Sequence, residues 1–181
     1  AERIGMIKPL TEWILDNACR QAVAWREQGF TIPQMSVNIS PIHFLDKNIV
    51  PLIKRILQET GITPAEFALE VTENVVQTNP ENLSIFRELQ ALDIQLAIDD
   101  FGTGYSSLAS LKHFDVDYLK IDKYFIDDML FDKKSLLLVS SMIEMGHKLG
   151  YKIIAEGVET PEQLSIIKDM NCDIVQGYLF S

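Results

Sequence analysis

The sequence predicts an α/β protein built on a parallel β-sheet that is covered by helices. Strand-like apolar runs alternate with amphipathic helical segments six times along the 181 residues. The strand runs are short and continuously apolar, as expected when both faces of a parallel sheet are covered. Two closures satisfy this pattern, an open doubly wound sheet and a (β/α) barrel. No G-x-G-x-x-G sequence follows the first strand, which weakens the open-sheet alternative.

Each predicted element has a local signal in the sequence. The predicted strands are, in order, 35–39, 67–72, 95–99, 118–121, 151–155 and 173–177. The predicted helices are 7–28, 41–59, 80–92, 134–149 and 161–170. Gly29 and Gly61 end the first two helices, and Ser40 is an N-cap followed by proline at the first helical position. Thr160 and Gln163 form a capping box at the start of the last helix.

Composition argues against several classes of partner but does not exclude a nucleotide substrate. The formal net charge of −10 disfavours binding to nucleic acid and to an anionic membrane surface. No apolar run reaches the length of a membrane span, and no signal peptide opens the chain. Cys19 and Cys172 are far apart and fit two buried small side chains in a reducing compartment. We expect a single cytoplasmic domain over 1–181, with no nucleic acid partner and no direct membrane insertion.

Nearly every predicted strand carries a polar side chain at or near its carboxyl end. These residues are Asn38, Glu70, Asp99, Asp100, Lys120, Glu156 and Gln176. Each one alone fits a turn, an exposed edge or a solvated charge, but closing the sheet brings four carboxylates to one mouth, where they repel. One lysine cannot neutralise four acids, whereas oxygen ligands suit Mg²⁺, Ca²⁺ or Mn²⁺. The histidines lie in predicted helices or loops and are interpreted as structural or surface residues, so no histidine-rich zinc site is expected: His43, His113 and His147.

The adjacent pair Asp99-Asp100 needs a special backbone. Successive side chains of a strand point to opposite faces, so both aspartates share a site only if the chain turns between them. We expect the segment from Phe101 to Gly104 to supply this turn, because glycine tolerates positive φ. An ordinary loop followed by a cap at Ser106 or Ser107 explains the same residues and is compatible with a ligand-framing role.

Six motifs in this order resemble the EAL-domain family. They are Ser36-Val-Asn-Ile-Ser40, Leu69-Glu-Val-Thr-Glu73, Ile98-Asp-Asp-Phe-Gly-Thr-Gly-Tyr-Ser-Ser107, Leu119-Lys-Ile-Asp122, Ala155-Glu-Gly-Val-Glu159 and Val175-Gln-Gly-Tyr178. The resemblance covers the whole chain, and the Asp-Asp-Phe-Gly-Thr-Gly-Tyr-Ser-Ser loop is its most specific part. It implies a TIM-type (β/α) barrel and a cyclic di-GMP phosphodiesterase that releases linear pGpG in second-messenger signalling.

The resemblance also implies roles for individual residues. Asn38, Glu70 and Asp99 are expected to bind one divalent metal ion, Mg²⁺ or Mn²⁺, and Asp99 and Asp100 a second. Lys120 is expected to hold or help activate the attacking water, and Glu156 to act at the metal site directly or through water. Glu73 is expected to anchor the glycine-containing loop. Glu159 and Gln176 are expected to support the mouth of the site.

One departure from the family pattern limits this expectation. The Glu-Ala-Leu run that names the family, with its metal-binding glutamate, is absent from the chain. We therefore expect an incomplete barrel whose first two strands are missing and whose activity on its own is impaired. The resemblance further implies a homodimer in the full domain, with upstream sensory or GGDEF-type domains that can anchor the parent protein to a membrane. The alternatives are a non-catalytic cyclic di-GMP receptor or protein-interaction module, and an unrelated metal-dependent barrel enzyme, which fits the periodicity but not the motifs.

Overall fold

A computed structural model describes residues 5–45, 48–77, 80–103, 111 and 115–180. The chain divides into two compact units, Ala1–Leu96 and Ala97–Ser181. The single domain over 1–181 stays a prediction. Among the described residues, no helix combines the length and the apolar character that crossing a membrane requires.

The first unit contains two complete parallel strands and four α-helices within its described residues. Its elements are α1 (Ile7–Glu27), β1 (Met35–Ile39), a 3₁₀ helix (Pro41–Leu45), α2 (Ile49–Thr60), a 3₁₀ helix (Pro64–Glu66), β2 (Phe67–Thr72), α3 (Glu73–Gln77) and α4 (Pro80–Gln90). Strand β1 pairs in parallel with β2, and the register sets Asn38 beside Glu70. Because the strands are parallel and in register, polar residues near their carboxyl ends lie next to each other.

Burial explains why these segments form these elements. Five of the six residues of β2 are buried, as expected for a strand covered on both faces. Helix α1 buries Leu15, Cys19 and Ala22, which recur at the four- and three-residue spacing of one helical face. Gly61 ends α2 in the left-handed conformation with φ of 70°, as its position after the helix predicts.

The helix predicted over 41–59 is wrong as one element. Pro41–Leu45 forms a 3₁₀ helix, in which the His43 N–H donates to the Ser40 carbonyl at 3.0 Å, and α2 starts anew at Ile49. Ser40 does act as a local cap, because its hydroxyl oxygen accepts from the Ile42 N–H at 3.3 Å. The 3₁₀ turn buries Phe44 beside Phe86, with ring centroids 5.3 Å apart. Tertiary packing of this aromatic pair therefore overrides the local signal for a continuous helix.

The second unit contains a four-stranded parallel sheet, and the helices whose bounds lie within its described residues are three α-helices and a 3₁₀ helix. Its elements are β3 (Gln95–Phe101, which begins in the last residues of the first unit), β4 (Tyr118–Ile121), α5 (Lys123–Asp128), α6 (Lys133–Lys148), β5 (Lys152–Ala155), α7 (Pro161–Asp169), β6 (Ile174–Val175) and a 3₁₀ helix (Tyr178–Phe180). The strand order is β3-β4-β5-β6, and every described pairing in it is parallel. The last strand is shorter than predicted, because the chain turns into the 3₁₀ helix.

Two helix starts follow from capping chemistry. The predicted capping box is confirmed: the Gln163 N–H donates to Thr160 Oγ1 at 3.2 Å, and the Thr160 N–H donates to Gln163 Oε1 at 3.0 Å. Helix α5 was not predicted, because six residues show too little periodicity to be recognised. It begins where the Asp122 carboxylate accepts from the Tyr124 N–H at 2.8 Å.

Asp173, the residue before β6, contacts both β5 and α6. Its Oδ2 accepts from the Ile153 N–H at 2.8 Å and lies 2.8 Å from Nε2 of His147 on α6. Burial by itself raises the pKa of this carboxyl, but the hydrogen bonds from Ile153 and His147 prevail and hold the pKa below its usual value of 3.8. The interactions therefore favour the ionised form in the folded protein.

Replacing Asp173 with asparagine is expected to lower the free energy of unfolding at pH 7 by about 1 kcal/mol, since the pair is partly exposed. A depressed folded-state pKa stabilises the fold above the unfolded-state pKa, and this stabilisation is lost as the pH falls through the folded-state value. Thermal melts should therefore show a gap between wild type and variant that narrows below about pH 4. The exposed Asp128→Asn is the control. A gap that is constant down to pH 2 would contradict the assigned ionisation.

Candidate metal and catalytic site

Three carboxylates converge in the second unit at the carboxyl ends of its strands. Asp99 and Asp100 lie near the carboxyl end of β3, just before its last residue, and Glu156 follows β5. One oxygen from each lies within 4.8 Å of the others. Asp99 is buried, and the other two are partly buried. Among the carboxylate, histidine and cysteine side chains of the described residues, these three carboxylates are the group spaced to hold a metal ion.

A β-bulge brings the two adjacent aspartates together. The pairing of β3 with β4 shifts register between Ile98 and Phe101, and Asp100 has φ of 54°. A bulge with one residue in the left-handed region turns two consecutive side chains toward one face. The turn thus occurs at Asp100 itself, one residue before the predicted segment. Phe101 is still the last residue of β3, and Gly104, Ser106 and Ser107 lie outside the described residues.

Gly102 nevertheless meets a strict requirement. Its φ is 95°, and a Cβ atom added there would lie 2.7 Å from both Met142 Cε and Phe125 Cε2. A side chain at this position conflicts with both the backbone conformation and the space available. The predicted role of glycine in this loop is therefore supported at Gly102.

Lys120 lies among the carboxylates as predicted. The β4 residue is 3% exposed, and its Nζ is 3.0 Å from Asp99 Oδ1 and 2.8 Å from Glu156 Oε1. A buried ammonium group is stable only when paired in this way. The lysine contributes one positive charge against three carboxylates, so a net negative charge stays at the site.

Asp122 is a member of this neighbourhood to which the sequence reasoning assigned no role. Partial burial, followed by the charges of Asp99 and Asp122, raises the pKa of Asp100 above its usual value. Asp122 is two residues after Lys120, and side chains at this spacing lie on the same face of a strand. The period-two pattern of Leu119-Lys-Ile-Asp122 is the signal that identifies it.

Glu159 and Gln176 line a groove next to Glu156. The groove has a volume of about 440 Å³ and is also lined by Lys123 and Tyr178. Backbone hydrogen bonds join its two walls: the Val158 N–H donates to the Gln176 carbonyl at 3.0 Å. The prediction that Glu159 and Gln176 accompany Glu156 is therefore consistent with their placement.

The remaining predicted residues belong to the first unit. Asn38 Nδ2 donates to Glu70 Oε2 at 3.3 Å. Glu70 is buried, whereas Asn38 is exposed. Glu73 is buried at the first position of α3. Asn38 and Glu70 are thus brought together as predicted. That Asn38 and Glu70 share a metal ion with Asp99 stays a prediction, and so does the anchoring of the loop by Glu73.

The donor set fits a hard divalent cation. Asp99, Asp100 and Glu156 offer carboxylate oxygens, the ligands of Mg²⁺ and Mn²⁺, and their mutual repulsion is relieved by a bound cation. Neither histidine among the described residues belongs to this cluster: His43 is buried in the 3₁₀ helix, and His147 contacts Asp173.

The cysteines are also separate from the described acidic cluster. Burial raises the pKa of Cys19 to about 12 and, as the main effect, that of Cys172 to about 11. Both are free thiols, as predicted. The prediction that both are buried is wrong for Cys172, which is only partly buried because it lies in the turn before β6.

Comparison with known proteins gives the family. The EAL-domain profile matches residues 1–181. The chain belongs to the EAL-domain family. Signaling protein YkoW of Bacillus subtilis is 41% identical over 182 residues, covering 100% of this chain and 23% of YkoW. Cyclic di-GMP phosphodiesterase NbdA of Pseudomonas aeruginosa is 37% identical over 182 residues, covering 100% of this chain and 23% of NbdA.

A solved structure extends the similarity to the fold. The PaMucR phosphodiesterase in its c-di-GMP complex superposes on this EAL-domain chain with a TM-score of 0.95 at 37% identity, covering 100% of this chain and 74% of PaMucR. The predicted α/β class and the EAL-type barrel family are thereby confirmed. The EAL-domain chain spans about a quarter of the length of the curated relatives that it matches.

Proposed function

We propose that this EAL domain is the catalytic part of a metal-dependent phosphodiesterase that hydrolyses cyclic di-GMP to linear pGpG. One observation carries the proposal: Lys120 is buried between Asp99 and Glu156, beside a third carboxylate, Asp100. This arrangement supplies both a cation site and a proton-handling group in one place. The similarity to NbdA and PaMucR supports the choice of substrate.

Asp99, Asp100 and Glu156 would hold divalent cations, Mg²⁺ or Mn²⁺, and we propose two of them, with Asn38 and Glu70 as further ligands. When bound, such ions activate water, neutralise phosphate charge and stabilise the leaving oxygen of an in-line displacement. Lys120 donates hydrogen bonds from an ammonium group whose position is fixed by two carboxylates. It can therefore orient a water molecule toward phosphorus while its own charge stays paired.

The overall reaction adds one water to one phosphodiester bond. The water oxygen forms a new bond to phosphorus, the bond from phosphorus to the ribose oxygen breaks, and the departing oxygen receives a proton. Glu156 lies 2.8 Å from Lys120 Nζ, closer than Asp99 at 3.0 Å, and its carboxylate can accept the proton of a water that Lys120 orients. We assign it that role, and we assign Glu159 and Gln176 to the walls of the substrate groove.

The partners and location of the domain are part of the same proposal. We propose that it functions as a homodimer in the cytoplasm, joined to sensory or GGDEF-type domains in a longer protein. The small share of the relatives that this chain covers supports additional domains in those relatives. The negative net charge supports an absence of nucleic acid partners.

The test is cleavage of cyclic di-GMP by the full-length protein. With Mg²⁺ or Mn²⁺ we expect pGpG to accumulate, and chelation by EDTA should stop the reaction until the ion is restored. Chromatography of the nucleotides measures both. Tight binding of cyclic di-GMP without turnover in the presence of either metal would reject the enzymatic function and favour a non-catalytic receptor. If the protein neither binds nor cleaves cyclic di-GMP, both the enzyme and the receptor are rejected.

A further inference from the structure

Lys123 connects helix α5 to the segment that carries Glu156. Its Nζ forms an ion pair with Glu159 Oε1, and Asp127 Oδ1 lies 3.8 Å away. Glu159 has a fixed backbone, because its N–H donates to Gln163 Oε1 at 2.8 Å. The lysine therefore contacts a carboxylate whose position in the loop is set independently.

The hydrocarbon stem of Lys123 contributes a second contact. It covers Gly157, where an added Cβ atom would overlap the Lys123 Cβ, Cγ and Cδ atoms. Gly157 also has φ of 68°, a conformation that favours glycine. The long side chain thus packs along the backbone between Glu156 and Glu159, and its charged end reaches the outer of these two residues.

The charge of Lys123 matters because the groove is acidic. Glu156 and Glu159 both line it, and Lys123 is the lysine on the same wall. Lys123 is protonated at neutral pH at its usual pKa of 10.5, and the hydrogen bond to Glu159 raises that pKa further. A phosphodiester entering this groove carries negative charge and is repelled by any uncompensated carboxylate.

We propose that Lys123 is a positioning residue that holds Glu159 against the groove wall and neutralises its charge, so that an anionic nucleotide can enter. This inference rests on the proposed function and deepens it, because it assigns substrate admission to a residue outside the cluster of Asp99, Asp100 and Glu156. Lys123 acts through Glu159 and is not assigned a contact with the reacting phosphate.

The test separates charge compensation from general support of the fold. In low salt, Lys123→Met should raise the KM for cyclic di-GMP about five- to tenfold, from one uncompensated charge near an anionic ligand, while kcat changes less than about threefold. The rise in KM should shrink at about 0.5 M salt, where the Debye length falls to a few ångströms. Lys123→Arg should restore the KM. In the double variant Lys123→Met/Glu159→Gln, KM should lie within about twofold of Glu159→Gln alone.

Lys148→Met is the matched control, because Lys148 forms an exposed ion pair with Glu144 at 2.6 Å on α6. It should leave KM and its salt dependence unchanged. A KM for Lys123→Met that equals wild type, or a rise that neither salt nor Glu159→Gln reduces, would overturn the inference while leaving the phosphodiesterase intact. If wild type binds without turnover, the proposed function fails, and dissociation constants from calorimetry test Lys123 by the same comparisons. If wild type does not bind, both are overturned.

Discussion

Replacing Asp99 with asparagine is expected to reduce turnover of cyclic di-GMP by about 10²–10³-fold or more. The asparagine keeps the shape of the side chain but removes the charge that Asp99 presents to Lys120, 3.0 Å away, and would present to the proposed divalent cation. Because Asp99 shares the cluster with Asp100 and Glu156, cation affinity should fall together with turnover. Isothermal calorimetry with Mn²⁺ and a pGpG assay measure the two effects in the same protein.

Asp128→Asn is the control for this substitution, since it removes one exposed carboxylate from α5 and leaves the cluster unchanged. It should leave cation binding and turnover as in wild type. Retained Mn²⁺ affinity in Asp99→Asn with lost turnover would assign Asp99 to chemistry alone. Turnover by Asp99→Asn equal to that of the wild type would show that Asp99 is not part of the catalytic site.

Lys120→Met should lose turnover to a similar extent but keep its cation. The methionine fills the buried space, whereas the ammonium that contacts Asp99 and Glu156 disappears. Without a cation, the buried carboxylates lose their counter-charge, so the variant should unfold at a lower temperature than wild type. A divalent ion restores that charge, and added Mn²⁺ should therefore raise the melting temperature of the variant more than that of wild type.

The two variants are expected to differ in cation affinity, and this difference separates the roles of Asp99 and Lys120. Asp99→Asn loses both cation affinity and turnover, while Lys120→Met loses turnover only. Calorimetry, thermal melts with and without Mn²⁺, and nucleotide assays decide between them, with Lys148→Met as the matched lysine control. Weaker Mn²⁺ binding by Lys120→Met would contradict the expectation that the three carboxylates hold the cation without the lysine. Undiminished turnover would remove Lys120 from the mechanism.

Strands were predicted well because their cores leave little choice. Three predicted strands coincide with observed ones: 35–39 with β1, 67–72 with β2 and 118–121 with β4. Their buried apolar residues appear in the sequence as short apolar runs. The 3₁₀ helix at Pro41–Leu45 was missed, because it depends on the packing of Phe44 with Phe86, which is distant in sequence. Long-range packing cannot be deduced from local helix signals.

The candidate site shows the same division. Lys120, Glu156 and the aspartate pair were identified from their positions at or near the carboxyl ends of strands, a rule that requires only the chain order and the parallel sheet. The bulge at Asp100 was not, because a register shift depends on the partner strand. Asp122 was not assigned because it lies one residue beyond the end of β4, and its closeness to Asp100 depends on how the chain continues there.

The left-handed backbone at Asp100 has a consequence for protein engineering. Asparagine tolerates this conformation at least as well as aspartate does, and it removes a charge that Asp99 and Asp122 repel. A library screened for heat resistance alone, in the absence of divalent ions, would therefore enrich asparagine at this position and discard a proposed metal ligand. Screens on this domain need a catalytic readout in every round, because at this residue thermostability and activity select different amino acids.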